Sequence, residues 1–197
     1  MKVLVISGDR WHPTDIVRAG LNKLKGFEFI YADTADNFED YNAVMLLKDN
    51  CVSAENQTEF MQNGFADKLI KYVENGGSLF AVHAGTCAAR NIEGLYKLIG
   101  CKFNHHPAAC TVTYKFNDRP DMEFVGLDEH YHIDLYEQPR DVFMYSVSQH
   151  GTQIGGYRKQ YGRGKVAVAT PGHTLGIWQD PQMTLMLTEQ LNWLCNK

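Results

Sequence analysis

Ser78 to Ala89 reads S-L-F-A-V-H-A-G-T-C-A-A, an apolar run that stops abruptly at His83. A continuous apolar run without alternation leaves no face for water, so it predicts a strand covered on both sides, as in a parallel sheet flanked by helices. Asn75, Gly76 and Gly77 end a helical pattern just before it, and Ala84 and Gly85 lead into small residues that can begin another helix. A strand, a tight turn and a helix in that order hold the turn residue at the carboxyl edge of the sheet, where open α/β folds place their chemistry. His83 is that turn residue.

The flanking sequence supplies partners for such a strand. Lys2 to Ser7 is a second interior-like run, Phe27 to Tyr31 a further strand, and Ala43 to Leu47 another. Between them, Ile16, Val17, Leu21 and Leu24 fall at helical spacing behind a cap at Thr14 or Asp15, and Gly26 ends that helix. Ala54 to Glu74 is helical in pattern, with Asn63 and Gly64 predicting a break or kink. This β-α-β-α alternation indicates a doubly wound, mostly parallel sheet.

The second half changes character. Glu93 to Ile99 predicts a short helix, and Ala109 to Phe116 alternates like an exposed antiparallel strand. Val142 to Val147 and Gln153 to Tyr157 form a hairpin across Gln149-His150-Gly151. Lys165 to Thr170 returns as an interior strand, Pro171-Gly172-His173 turns at its end, and Met183 to Cys195 closes the chain as an amphipathic helix. No linker, repeat or low-complexity segment appears, so residues 1–197 are expected to form one domain.

Charge and composition exclude several classes. A net charge of -4 lacks the basic face that phosphate backbones require, which argues against nucleic acid. No segment approaches 18 apolar residues, so no membrane span is expected, and a cytoplasmic location follows. The five cysteines, at 51, 87, 101, 110 and 195, include no C-x-x-C pair and read as free thiols in a reducing compartment. Gly162-Arg163-Gly164-Lys165 lacks the phosphate-loop spacing and precedes a strand, and no G-x-G-x-x-G follows the first strand. A nucleotide cofactor is therefore not expected.

Eight histidines stand out, because several fall where predicted strands end: His12 after the first, His83 after the fourth, His173 after the last. In a parallel sheet those ends share one edge, so distant imidazoles converge in one crevice; three separate loop histidines with local hydrogen bonds are the competing reading. Asp128-Glu129-His130-Tyr131-His132 adds a carboxylate beside imidazoles, which suits Glu129 to proton transfer, although a solvated loop has the same composition. His105-His106-Pro107 is similar. His12, His83, His106, Glu129 and His173 also make a His-plus-carboxylate set of the kind that binds zinc or another divalent ion, without the short spacing of a known metal motif. Trp11, Tyr131 and Trp178 lie beside these residues as aromatic surfaces for a sugar ring, or as core.

Five stretches in order, G-D-R-W-H at Gly8 to His12, Y-V-E-N-G-G-S-L-F-A-V-H-A at Tyr72 to Ala84, L-I-G-C-K-F-N-H-H-P at Leu98 to Pro107, G-L-D-E-H-Y at Gly126 to Tyr131, and G-R-G-K-V-A-V-A-T-P-G-H at Gly162 to His173, resemble the ThuA-like (trehalose utilisation) family. The resemblance spans nearly the whole chain. It implies a flavodoxin-like fold of the class I glutamine amidotransferase type, with an added antiparallel hairpin region, and a protein of carbohydrate utilisation acting on trehalose, a related disaccharide or a keto-sugar. The carry-over points to His12, His83, His106, Glu129, Tyr131 and His173; from their chemistry His83, Glu129 and His173 are expected to be catalytic, and His12, His106 and Tyr131, with Trp11, to bind substrate. The implied partner is a small-molecule sugar; acid/base chemistry of a hydrolase, lyase or isomerase is what the His and Glu residues themselves suggest.

The same resemblance brings a departure. Amidotransferases present a cysteine nucleophile at this elbow, whereas Val82-His83-Ala84-Gly85 puts His83 there and the nearest thiol, Cys87, four residues on. Gly172-His173-Thr174 also lacks the acidic residue expected two places after the amidotransferase histidine. Glutamine hydrolysis is not expected. A non-catalytic sugar-binding protein and a Cys87-dependent hydrolase or amidotransferase-like enzyme remain as alternatives, and homo-oligomer formation through Tyr157 to Tyr161 stays open.

Overall fold

The computed structural model describes residues 1–196. Among them, one nine-stranded sheet runs in the order β2-β1-β3-β4-β11-β10-β9-β6-β7. Its first five members are parallel: β1 (Lys2–Ile6) lies between β2 (Glu28–Ala32) and β3 (Ala43–Leu46), and β4 (Ser78–Val82) lies between β3 and β11 (Gly164–Ala169). The order 2-1-3-4, completed by a last parallel strand, is that of the flavodoxin-like doubly wound fold. The remaining four, β10 (Gly151–Tyr161), β9 (Asp141–Ser148), β6 (Cys110–Phe116) and β7 (Glu123–Asp128), extend it as an antiparallel wing.

Two apolar layers flank the sheet. On one face, alternate strand residues such as Val3, Val5, Phe80 and Val82 pack under α1 (Thr14–Leu21), α4 (Leu175–Gln179) and α5 (Pro181–Cys195). On the other, Leu4, Ile6, Leu79 and Ala81 pack under α2 (Ala66–Glu74) and α3 (Glu93–Ile99). Every residue of β3 and β4 is buried, which is why both read as unbroken apolar runs.

The break expected at Asn63-Gly64 is present, since both have non-helical dihedrals inside the irregular turn Met61–Phe65. Residues 54–60, read as helix, are instead irregular, held by Ser53, Asn56 and Gln57 side chains bonding to nearby backbone. A two-stranded sheet of β5 (Cys101–His105) and β8 (His132–Leu135) also forms beside the main sheet. Tyr157 is not an interface residue: it is fully buried, and its hydroxyl donates to the Ile99 carbonyl at 2.9 Å.

Candidate functional site

His83 sits at the end of β4 with φ +47°, the one non-glycine residue of positive φ among those described. That strained corner is the geometry of a nucleophile elbow, and it lifts the imidazole to the carboxyl edge of the sheet. Two neighbours make room for it. A Cβ on Gly85 would lie 2.0 Å from the Leu46 carbonyl oxygen, and one on Gly172 would lie 3.1 Å from His83 Cβ. The short turn His83–Ala89 that follows is wholly buried.

The carboxyl ends of β1, β4 and β11, together with the segment after β7, converge at this point. His12, His83, Glu129 and His173 offer one donor atom each within 4.8 Å of one another. Glu129 Oε2 lies 3.4 Å from His83 Nε2 and 3.3 Å from His173 Nδ1. The imidazole of His12 meets those of His83 and His173 edge-on, with ring centres at 5.0 and 5.3 Å.

Two of the three imidazoles are oriented from behind. His12 Nδ1–H donates to both Asp9 oxygens, at 2.8 and 2.9 Å, and His83 Nδ1–H donates to the Thr170 carbonyl at 2.8 Å. Carboxylate and carbonyl oxygens only accept, so both rings carry a hydrogen on Nδ1, and in the neutral form each turns an Nε2 lone pair inward. His12 Nε2, His83 Nε2 and His173 Nδ1 are buried and have no hydrogen-bond partner. An unpaired buried polar atom ordinarily costs about 1–3 kcal/mol, and three aimed at one point beside a carboxylate oxygen fit the donor set of a divalent ion.

Two buried carboxylates hold the loops that carry these donors. Asp9 also accepts the backbone N–H groups of Trp11, His12 and Asp49, at 2.8, 2.8 and 2.9 Å. Burial works against its charge, yet His12 and these amides outweigh it and keep the carboxyl below its usual range. Asp128 accepts from Tyr114 Oη at 2.7 Å and from the N–H groups of Gly172, His173 and Glu129 at 3.0, 2.8 and 3.0 Å. It thereby ties both the Glu129 and the His173 segments to one point.

Glu129 is half-buried. Desolvation favours its neutral form, but His83, then His173 and His106, when they carry the proton on the nitrogen facing it, hold its carboxyl below the usual range. His106 lies outside the four-donor group, on the other carboxylate oxygen, with Nε2 3.4 Å from Glu129 Oε1 and Nδ1–H donating to the Pro107 carbonyl at 2.7 Å. Tyr131 is buried and stacks on the His83 ring at 4.0 Å, so it backs the imidazole and presents no face to a ligand. Trp178 is core, its indole N–H donating to the Gly172 carbonyl at 2.7 Å. Trp11 stays outside, 66% exposed.

The structure brings together four residues singled out from the sequence, and the groups that orient them were not readable there. Asp9 was visible only as part of G-D-R-W-H, and Thr170 acts through its backbone carbonyl, which leaves no trace in residue type. The other four histidines gather elsewhere. His105 stacks on His132 at 4.5 Å, His130 lies 5.1 Å from His132, and both nitrogens of His130 meet serine hydroxyls, those of Ser146 and Ser148. His150 follows Ser148, whose hydroxyl accepts its backbone N–H at 3.0 Å.

A search of curated proteins finds no match. Among solved structures, the chain is similar to a ThuA-like protein from Parabacteroides merdae, at 14% identity over 100% of this chain and 90% of that one, TM-score 0.79. It is also similar to one from Bacteroides uniformis, at 17% identity over 98% and 91%, TM-score 0.69. A cytoplasmic protein from Salmonella typhimurium matches at 13% identity over the full length of both chains, TM-score 0.71. These likenesses establish the fold. The family model for ThuA, described as trehalose utilisation, matches residues 2–194, and the chain belongs to that family.

Proposed function

We propose that this chain is a sugar-modifying enzyme whose centre holds a divalent cation between His12, His83, Glu129 and His173, and whose substrate is trehalose, a related disaccharide or a keto-sugar. One observation carries the reading: three buried imidazole nitrogens without partners face a carboxylate oxygen, all four donor atoms within 4.8 Å. The donor set is nitrogen and oxygen with no thiolate, which suits zinc or a similar first-row ion. Such an ion, when bound, polarises a sugar carbonyl or hydroxyl oxygen.

The chain's own residues supply the rest. Asp9 and the Thr170 carbonyl hold His12 and His83 in the tautomer that points Nε2 inward, a support that raises ligand basicity. Glu129 uses one oxygen toward the centre and leaves the other to His106. His106 is exposed at the rim, so it can carry a proton between Glu129 and solvent, a general acid/base role. No cysteine takes part, which separates this chemistry from glutamine hydrolysis.

The substrate class is supported by the family description. A cytoplasmic site of action is supported by the free cysteines and by the absence, among the described residues, of any helix long and apolar enough to cross a membrane. Metal analysis of protein purified without added metal tests the centre. About one ion per chain is expected, falling well below that in His83→Ala and Glu129→Ala, with sugar turnover lost in both. Full metal content and turnover in the two variants would remove these residues from the mechanism.

A further inference from the structure

The strand order contains a place that the centre above does not occupy. From β1 the chain crosses to β2 on one side and then returns to β3 on the other, so the connections after β1 and β3 leave in opposite directions. Open α/β sheets bind ligands in the crevice at such a switch point, outside the carboxyl ends of the strands. Here a cavity of about 180 Å³ lies at that point, bounded by the segments after β1, β3 and β4. It shares Asp9 with the centre, whose other side orients His12.

Its lining has a definite chemistry. Trp11 is 66% exposed although its backbone is pinned, the N–H donating to Asp9 at 2.8 Å, so an exposed indole is held on a fixed loop. Opposite stand Arg90 and Asn91, both exposed, the Arg90 guanidinium resting over Phe103 at 4.9 Å. Arg10 lies over the Trp11 ring at 5.2 Å. Asp9, Asp49 and Glu59 outnumber the two guanidinium groups, so the pocket has no net demand for an anion. Planar donors and acceptors around an aromatic face match adjacent hydroxyls on a ring whose C–H face stacks on the indole. The volume is below the roughly 300–1,000 Å³ of pockets for drug-sized ligands, which limits the occupant to about one ring.

We infer that this cavity is a subsite for one neutral, polyhydroxylated ring of the substrate, with Trp11 as its platform and Arg90 and Asn91 as its hydrogen-bonding wall. The inference rests on the proposed sugar chemistry only for the direction in which the remainder of the substrate points, toward His12 across the Trp11–His12 loop. Trp11 offers no donor atom to the centre, so the subsite and the centre can be disabled separately.

Calorimetric titration of the full chain, as purified, with glucose, trehalose and glucose 6-phosphate tests the assignment. At least one of the two neutral sugars is expected to bind saturably. Trp11→Ala and Arg90→Ala should each weaken that binding about tenfold or more, with unchanged melting temperature and unchanged metal content. Absence of binding by both neutral sugars, unchanged affinity in both variants, or glucose 6-phosphate binding tenfold more tightly than glucose would each overturn it. Loss of metal in the centre variants with sugar affinity preserved supports the centre and the subsite independently. Sugar binding through Trp11 in a protein that never holds metal would sink the proposed centre and leave the subsite standing.

Discussion

His83 and Cys87 stand four residues apart on one buried turn, and their surroundings divide the chemistry between them. The Cys87 thiol is almost fully enclosed and donates weakly to Tyr131 Oη at 3.8 Å. Burial pushes its pKa up to about 12, with the Asp49 charge adding to the effect and Tyr131 and Arg90 only partly opposing it. Since the thiolate is the nucleophile, a shift from about 9 to about 12 leaves it about a thousandfold scarcer near neutral pH. Cys87→Ala is therefore expected to keep metal content and turnover, and iodoacetamide at pH 7.5 should modify Cys87 in the native protein far more slowly than in the unfolded chain. Rapid alkylation that abolishes turnover would restore a cysteine mechanism. The position of His83 was readable from the apolar run that ends on it. Its positive φ was not, because no residue type announces that a histidine occupies a corner that glycine or asparagine would ordinarily fill.

At the level of elements, the centre depends on two loops tied down by single carboxylates. Asp128 accepts four hydrogen bonds, and three come from the backbone groups that place Glu129 and His173. Removing it leaves buried donors unsatisfied, each worth about 1–3 kcal/mol. Asp128→Ala is expected to lower stability by roughly 3 kcal/mol in urea titration. Asp9→Asn, which leaves the loop amides an acceptor, should weaken metal binding by about 10–100-fold in a chelator competition while costing less stability. Equal losses of stability and metal affinity in the two variants would contradict this division. The parallel strands were legible because burial on both faces makes them apolar throughout. The strands β5, β7 and β8 were not, since each mixes polar and apolar residues over a few positions and is specified by its partner strand. The helix α4 escaped for a different reason: at five residues it is too short to show a period.

Across the whole molecule, the eight histidines divide equally between two clusters that the chain alternates into. Glu129 and Tyr131 face the centre, while His130 and His132 turn the other way. Desolvation, reinforced by neighbouring imidazoles, depresses the pKa of both His130 and His132 below 6.5. The unfolded chain then binds more protons than the folded one just below that value, so stability present above about pH 6.5 is lost as pH falls through the folded values. Asp9 and Glu129, also depressed, act in the same sense at lower pH. The urea midpoint of metal-free protein should thus decline from pH 7.5 to 5, and His132→Gln should flatten part of that decline. A midpoint that rises on acidification would contradict the burial argument. The elbow bears on inheritance as well as chemistry. Gly85 is constrained by a carbonyl oxygen that any side chain would strike, whereas His83 is constrained only by what its ring does. In a population of variants selected for folding alone, position 85 would stay glycine while position 83 drifted toward glycine and asparagine, which sit at positive φ with less strain than other residues. Histidine held at 83 under selection for growth would then be a record of use, written at a site where the backbone would rather have something else.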